Sequence, residues 1–67
     1  MDKNVTNFER VRRESGMTQQ ILSEKSGIPV VTLREYEQGR RNINNARAII
    51  VVSLADALGV SVKDIMN

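Results

Sequence analysis

The tripeptide Gly27-Ile28-Pro29 splits the stretch from Met17 to Gly39 into two short helical pieces. A glycine at 27 tolerates the left-handed backbone at which helices commonly stop. Pro29 cannot continue the piece before it, because it has no N–H to give the preceding turn. Its fixed φ does suit the first position of a new helix. Thr18 lies nine residues before Gly27, where its hydroxyl can accept a free backbone N–H and cap the first piece. Helices are therefore predicted over about Thr18–Ser26 and Pro29–Gln38, the second ended by Gly39.

The remaining punctuation gives three more helices. Thr6-Asn7-Phe8-Glu9 fits a capping box, so a first helix runs from Thr6, or from as early as Asn4, to about Ser15 before Gly16. Val5, Phe8 and Val11 give it a narrow apolar stripe. Residues 1–5 are polar and expected to fray. Arg40-Arg41-Asn42-Ile43-Asn44-Asn45 is a loop by composition. A fourth helix, capped near Asn44 or Asn45, runs to Leu58 and stops at Gly59, with Ala48, Val51, Leu54, Ala55 and Leu58 as its inner stripe. The β-branched run Ile49-Ile50-Val51-Val52 could suggest a strand, but its continuation into Ser53–Leu58 favours a buried helix. Ser61 caps a last short helix, with Asp64 completing a box and Val62, Ile65 and Met66 as apolar residues. The prediction is one all-α, five-helix domain over residues 1–67, without repeat or linker.

Within the second helix, Gln19, Leu22, Ser23 and Ser26 share one side and Ile21 points nearly opposite. Ser23 is small enough for a close helix crossing, and its hydroxyl can bond back to a carbonyl one turn earlier. Ile21 is then an exposed apolar residue or part of a contact. In the third helix Leu33, Tyr36 and the stem of Glu37 face inward and Val30 sits at the boundary. Val31, Arg34, Glu35 and Gln38 face outward.

Composition narrows the function classes. Sixty-seven residues support a single small core, marginal unless helices pack well or subunits associate. With no Cys and no His, disulfides, thiol chemistry and the usual zinc ligands are absent from this sequence. There is no Gly-rich phosphate loop either, so enzymatic activity is not expected and no cofactor is implied. No apolar run approaches the ~20 residues that span a bilayer. The start MDKNVTNFER lacks a signal peptide's apolar middle, so the cytoplasm is the expected location. The net charge is +2, unevenly spread. Residues 10–47 carry Arg10, Arg12, Arg13, Lys25, Arg34, Arg40, Arg41 and Arg47 against Glu14, Glu24, Glu35 and Glu37, a balance of +4; the rest of the chain balances at −2. Positive charge thus gathers around the Met17–Gly39 stretch, as a phosphate-binding face requires, although scattered charge is more commonly a solvated surface.

Two short helices joined at a glycine form the helix-turn-helix of DNA-binding proteins. Gly16, Met17, Thr18, Gln19, Leu22, Gly27, Ile28, Leu33, Tyr36, Glu37 and Gly39 occur at the spacings of one such family. The chain resembles the Cro/phage-repressor (XRE) helix-turn-helix family from about Phe8 to Met66, and LADALGVSVKDI is similar to that family's closing helices. The resemblance implies a lambda-repressor-like DNA-binding domain. It assigns phosphate contacts to Thr18, Gln19, Thr32, Gln38 and Arg40, with Arg41 adding charge beside them. It assigns base-edge contacts to Val30, Val31, Arg34 and Glu35. Arg34 could chelate guanine O6 and N7, Glu35 could accept from cytosine N4, and a valine could pack on a thymine methyl. The alternative for Arg34 and Glu35 is pairing with neighbouring charges on a solvated helix. Arg12 and Glu37 match a salt bridge between the first and third helices.

Many members carry hydroxyl or amide side chains where this chain has Pro29, Val30 and Val31, so specificity is expected to rest on fewer hydrogen bonds, on methyl contacts or on DNA shape. The resemblance also implies a homodimer on a palindromic operator, with Ile43, Ile49, Ile65 and Met66 as apolar candidates for its interface. The leading expectation is a sequence-specific double-stranded-DNA-binding transcription regulator, specifically a repressor. Alternatives are a protein-interaction module on the same fold, docking through Ile21, Val30, Val31 or Ile49, and a DNA-binding antitoxin.

Overall fold

A computed structural model describes residues 5–67, so the fraying expected of residues 1–5 concerns, but for Val5, residues outside the described chain. Its elements are α1 (Asn7–Ser15), α2 (Gln19–Ser26), α3 (Val30–Gln38), a 3-10 turn (Ile43–Asn45), α4 (Ala48–Leu58) and α5 (Val62–Ile65). The architecture is all-α, with five α-helices among the described residues.

Most boundaries follow from local capping. Thr6 Oγ1 accepts from Glu9 N–H at 3.1 Å and Thr18 Oγ1 from Ile21 N–H at 3.1 Å, starting α1 and α2. Helix α1 thus begins at Asn7, and Asn4 lies outside the described residues. The box at Thr6 is half made, because the Glu9 carboxylate turns to Arg13 at 2.6 Å. At α5 the Ser61 N–H donates to Asp64 Oδ2 at 3.1 Å. Gly27 closes α2 at φ +78°, a conformation that costs an L side chain roughly 1–2 kcal/mol.

The turn between α2 and α3 is clasped by two serines. Ser26 Oγ accepts from Ile28 N–H at 3.2 Å, and Ser23 Oγ donates to Ile28 C=O at 2.6 Å. Ser23 thus reaches forward across the turn, not back along its own helix as expected. The forward acceptor is an otherwise unpaired carbonyl, whereas the carbonyls behind already serve the helix ladder. Pro29 is the N-cap of α3 and not its first residue: its ψ of 144° is extended, and its carbonyl receives the N–H groups of Thr32 and Leu33.

The core takes a fully buried side chain from every element: Phe8, Leu22, Leu33, Ile43, Leu54 and Ile65. Tyr36 meets Phe8 edge-on, with ring centroids 6.4 Å apart. Helix α1 packs on α5, while α2 lies against both α3 and α4. At 25 cal/mol per Å² such burial is the main term stabilising a chain of this size.

Several expectations need correction here. Residues 43–45 are a 3-10 turn, begun by Asn42 Oδ1 accepting from Asn44 N–H at 2.9 Å. Helix α4 starts later than expected, with Arg47 as N-cap in place of Asn44 or Asn45, and no side chain caps it. Ala48 is exposed in its first turn and does not join the inner stripe. Ile43 and Ile65 are core residues at 2% and 0% exposure, and Met66 packs partly buried against the same cluster. None of these three offers an open apolar surface for a subunit contact. Ile49, at 68% exposure, does.

Candidate nucleic-acid interface

Burial of one side of α3 determines which side is free. Leu33, Tyr36 and Glu37 are buried on the inner side. Val31 is 58% exposed, and Arg34 and Gln38 are exposed beside it. Val30, Thr32 and Glu35 sit partly buried at the edges of this face. Four of the residues expected at base edges or phosphates, Val31, Arg34, Glu35 and Gln38, therefore share one outward strip of one helix.

That strip is held in place by a buried ionic network. Glu37, only 6% exposed, is the single buried charged residue among the described residues. Its carboxylate accepts from Arg12 Nε at 2.5 Å and from Arg12 Nη2 at 3.0 Å, a fork geometry that only arginine can present. Arg12 Nη1 donates to Met17 C=O at 2.8 Å, and Gln19 Nε2 donates to Glu37 Oε1 at 3.0 Å. One carboxylate on α3 thus fixes α1, the α1–α2 connection and the first turn of α2. The hydrogen bonds to Glu37 raise the Arg12 pKa above its ordinary value against the opposing effect of desolvation, so the guanidinium stays charged except in strongly alkaline solution.

The first turn of α2 is a second candidate element. Thr18 is exposed, and its hydroxyl is occupied by the cap. The N–H groups of Gln19 and Gln20 have no partner among the described residues, and they stand at the positive end of a helix, a combination that receives phosphate. Gln19 faces inward with its amide toward Glu37, so its free group for an anion is the backbone N–H. The signal for this was its side of the helical wheel, shared with Leu22.

Past Gly39, the chain turns under α3. The N–H groups of Arg40 and Arg41 both donate to Glu35 C=O, at 3.0 and 3.3 Å. The Arg41 side chain then returns to Glu35, Nε to Oε1 at 2.5 Å, and this hydrogen bond raises the Arg41 pKa. A residue expected at base edges and one expected at phosphates are thus paired with each other in the free protein. Arg34 and Arg40 pair with no carboxylate among the described residues and remain exposed. Glu35 and Arg41 are six residues apart across a glycine stop, a spacing that no within-helix rule flags.

A cleft of about 290 Å³ opens beside this pair, between the end of α3 and the start of α4. Its lining includes Tyr36, Arg41, Asn45, Arg47 and Ile50. Arg47 was not among the expected site residues. Its position as the N-cap of a helix without a capping side chain is the signal that could have found it.

Comparison with known proteins adds an independent line. A helix-turn-helix family model matches residues 8–65. The uncharacterized HTH-type transcriptional regulator y4dJ of Sinorhizobium fredii (strain NBRC 101917 / NGR234) is 45% identical over 56 residues, which span 84% of this chain and 69% of that protein. No solved structure gives a match of comparable strength.

Proposed function

We propose that this chain, which belongs to the XRE-type helix-turn-helix family, regulates transcription by laying the outward strip of α3 in the major groove of duplex DNA. In this reading Val30, Val31, Arg34 and Glu35 meet base edges. Thr18, Gln19, Thr32, Gln38, Arg40 and Arg41 hold the sugar-phosphate backbone on either side. The observation that carries the reading is the exposed Val31–Arg34–Gln38 strip on a helix whose opposite side is locked through Glu37 to Arg12 and Gln19. A rigid, solvated helix face with unpaired arginines and a free helix N-terminus next to it suits a groove between two phosphate rails.

Repression follows from occupancy: a protein seated across a promoter blocks polymerase without needing any further surface. A domain with principal extents of 30 × 25 × 22 Å covers a few base pairs, so a two-fold dimer on a palindrome would supply the rest of the specificity. Ile49 and Val52, 68% and 41% exposed on the outer side of α4, are the apolar surface open to such a contact.

The test is a duplex recovered by selection from a random pool, titrated over a range of salt. Neutralising about five phosphates makes log K fall with log salt at a slope near −4 to −5. A flat response would remove the DNA reading and favour the second one, a protein-docking module. That alternative rests on the exposed apolar residues Ile21 and Val31, at 42% and 58% exposure.

A further inference from the structure

The outward strip of α3 contains one acidic side chain, Glu35, beside Val31, Arg34 and Gln38. A bare carboxylate is poorly suited to a groove walled by phosphates. It is repelled by both rails, and among the base edges displayed there it matches chiefly the amine of cytosine.

Arg41 answers that charge from outside the helix. Gly39 ends α3 at φ +79°, and the chain turns back so that the N–H groups of Arg40 and Arg41 both reach the Glu35 carbonyl. With its backbone tied to Glu35, Arg41 sends Nε to Glu35 Oε1 at 2.5 Å. That is the one hydrogen bond the carboxylate makes among the described residues, so Oε2 keeps its capacity to accept. Side-chain exposures of 60% for Arg41 and 31% for Glu35 leave the pair open to solvent, where an ion pair adds little to folding stability. The contrast with Glu37 is informative. That carboxylate is buried and joins α1, α2 and α3 through both oxygens, whereas Glu35 is tied at one oxygen on the edge of the outward strip.

We propose that Arg41 is a positioning residue for base selection: it neutralises Glu35 and fixes its carboxylate with one oxygen left to accept from a cytosine amine. This role rests on the groove reading of α3 and adds to it a specificity determinant that lies beyond the helix. Without Arg41 the carboxylate is mobile and repelled by the phosphates, so it swings out to solvent and the base beside it goes unread. A side chain already held in its bound geometry avoids the ordering cost that a free one meets on binding. The Arg41 Nη groups are not engaged by Glu35, so the same guanidinium can also touch a phosphate. A phosphate contact alone, however, weakens every duplex alike and selects no base.

A duplex selected by the parent protein from a random pool is remade with each base pair varied in turn. Relative affinities are then measured at one salt concentration for the parent, Arg41→Ala, Glu35→Gln and the double variant. Glu35→Gln identifies the base pair read at residue 35 as the one where its ranking departs from the parent's. At that pair Arg41→Ala is expected to flatten the preference about fivefold, with the ranking at all other pairs kept. In the Glu35→Gln background the same substitution leaves the ranking unchanged, whatever it does to overall affinity. Because the Arg41 side chain is exposed, its loss should leave the urea midpoint in place, which circular dichroism checks. The proposal is overturned if Glu35→Gln changes no ranking, if Arg41→Ala lowers affinity uniformly or sharpens the preference, or if Arg41→Ala acts equally with and without Glu35. If the parent selects no duplex, the groove reading falls and takes the proposal with it. If the parent selects one and Arg41→Ala keeps its ranking, the proposal alone falls.

Discussion

Replacing Arg12 with alanine tests the load carried by the buried network. The side chains of Arg12 and Glu37 are 12% and 5% exposed, so solvent screens them little. Removing Arg12 deletes both arms of the fork and the bond to Met17 C=O, leaving the Glu37 carboxylate with Gln19 as its remaining described partner. Stranding a buried charge in this way costs ~3–5 kcal/mol. For a chain of this length total stability is on the order of 3–10 kcal/mol, so the variant is expected to lose about a third of it or more. Urea unfolding followed by circular dichroism gives the number. The double variant Arg12→Met with Glu37→Leu then separates stability from positioning. Two apolar side chains of similar bulk remove the stranded charge and are expected to restore most of the lost stability. They do not restore the hold on Gln19, so DNA affinity stays about tenfold down, equivalent to ~1.4 kcal/mol. The reasoning is refuted if Arg12→Ala costs under ~0.5 kcal/mol, the range of an ordinary surface change. It is refuted equally if the double variant recovers stability and full DNA affinity together.

Further predictions concern the turn and the outward strip. Gly27→Ala adds a Cβ that meets no atom within 4 Å but must hold φ near +78°, so it costs about 1–2 kcal/mol from backbone strain alone; thermal melts should show Gly27→Asn costing less. Ser23→Ala removes the donor to Ile28 C=O and lowers stability by about 1 kcal/mol in the same assay, without changing α-helix content. Arg34→Ala weakens binding by ~1–3 kcal/mol and relaxes selectivity at one base position. Arg40→Ala instead weakens all duplexes alike and reduces the salt slope by about 1, so equal effects of the two substitutions would contradict their assigned roles.

What the sequence made legible was local chemistry. Thr6, Thr18 and Ser61 each sit where a backbone N–H needs an acceptor, and the four glycines occupy the four left-handed positions at which α1 to α4 end. Such signals act within a few residues, so reading them requires no knowledge of the tertiary arrangement. The corrections fall where burial is decided at long range. Ile43 is a lone apolar residue in a polar loop and has no periodicity to betray it, yet the Asn42 turn delivers it to the core. Ile65 sits on a helix of four residues, too short for a stripe, and its burial comes from packing of α5 against α1. Asn44, expected to cap α4, instead exchanges hydrogen bonds with the backbone of Asn67, twenty-three residues away. Among the candidate site residues, the faces of α3 were readable from its 100° period. The Gln19–Glu37 and Glu35–Arg41 contacts were not, because each joins side chains across a connection whose path composition does not specify.

The six fully enclosed side chains, one per element, have a consequence for how this chain can fail. No helix owns a private share of the interior, so none can detach and leave the others a sealed remainder. Hydrogen exchange in the central turns of α1, α2, α3 and α4 should therefore converge on one common opening free energy. For the same reason, amputating the four-residue α5 should act on α3 as severely as an injury next to it.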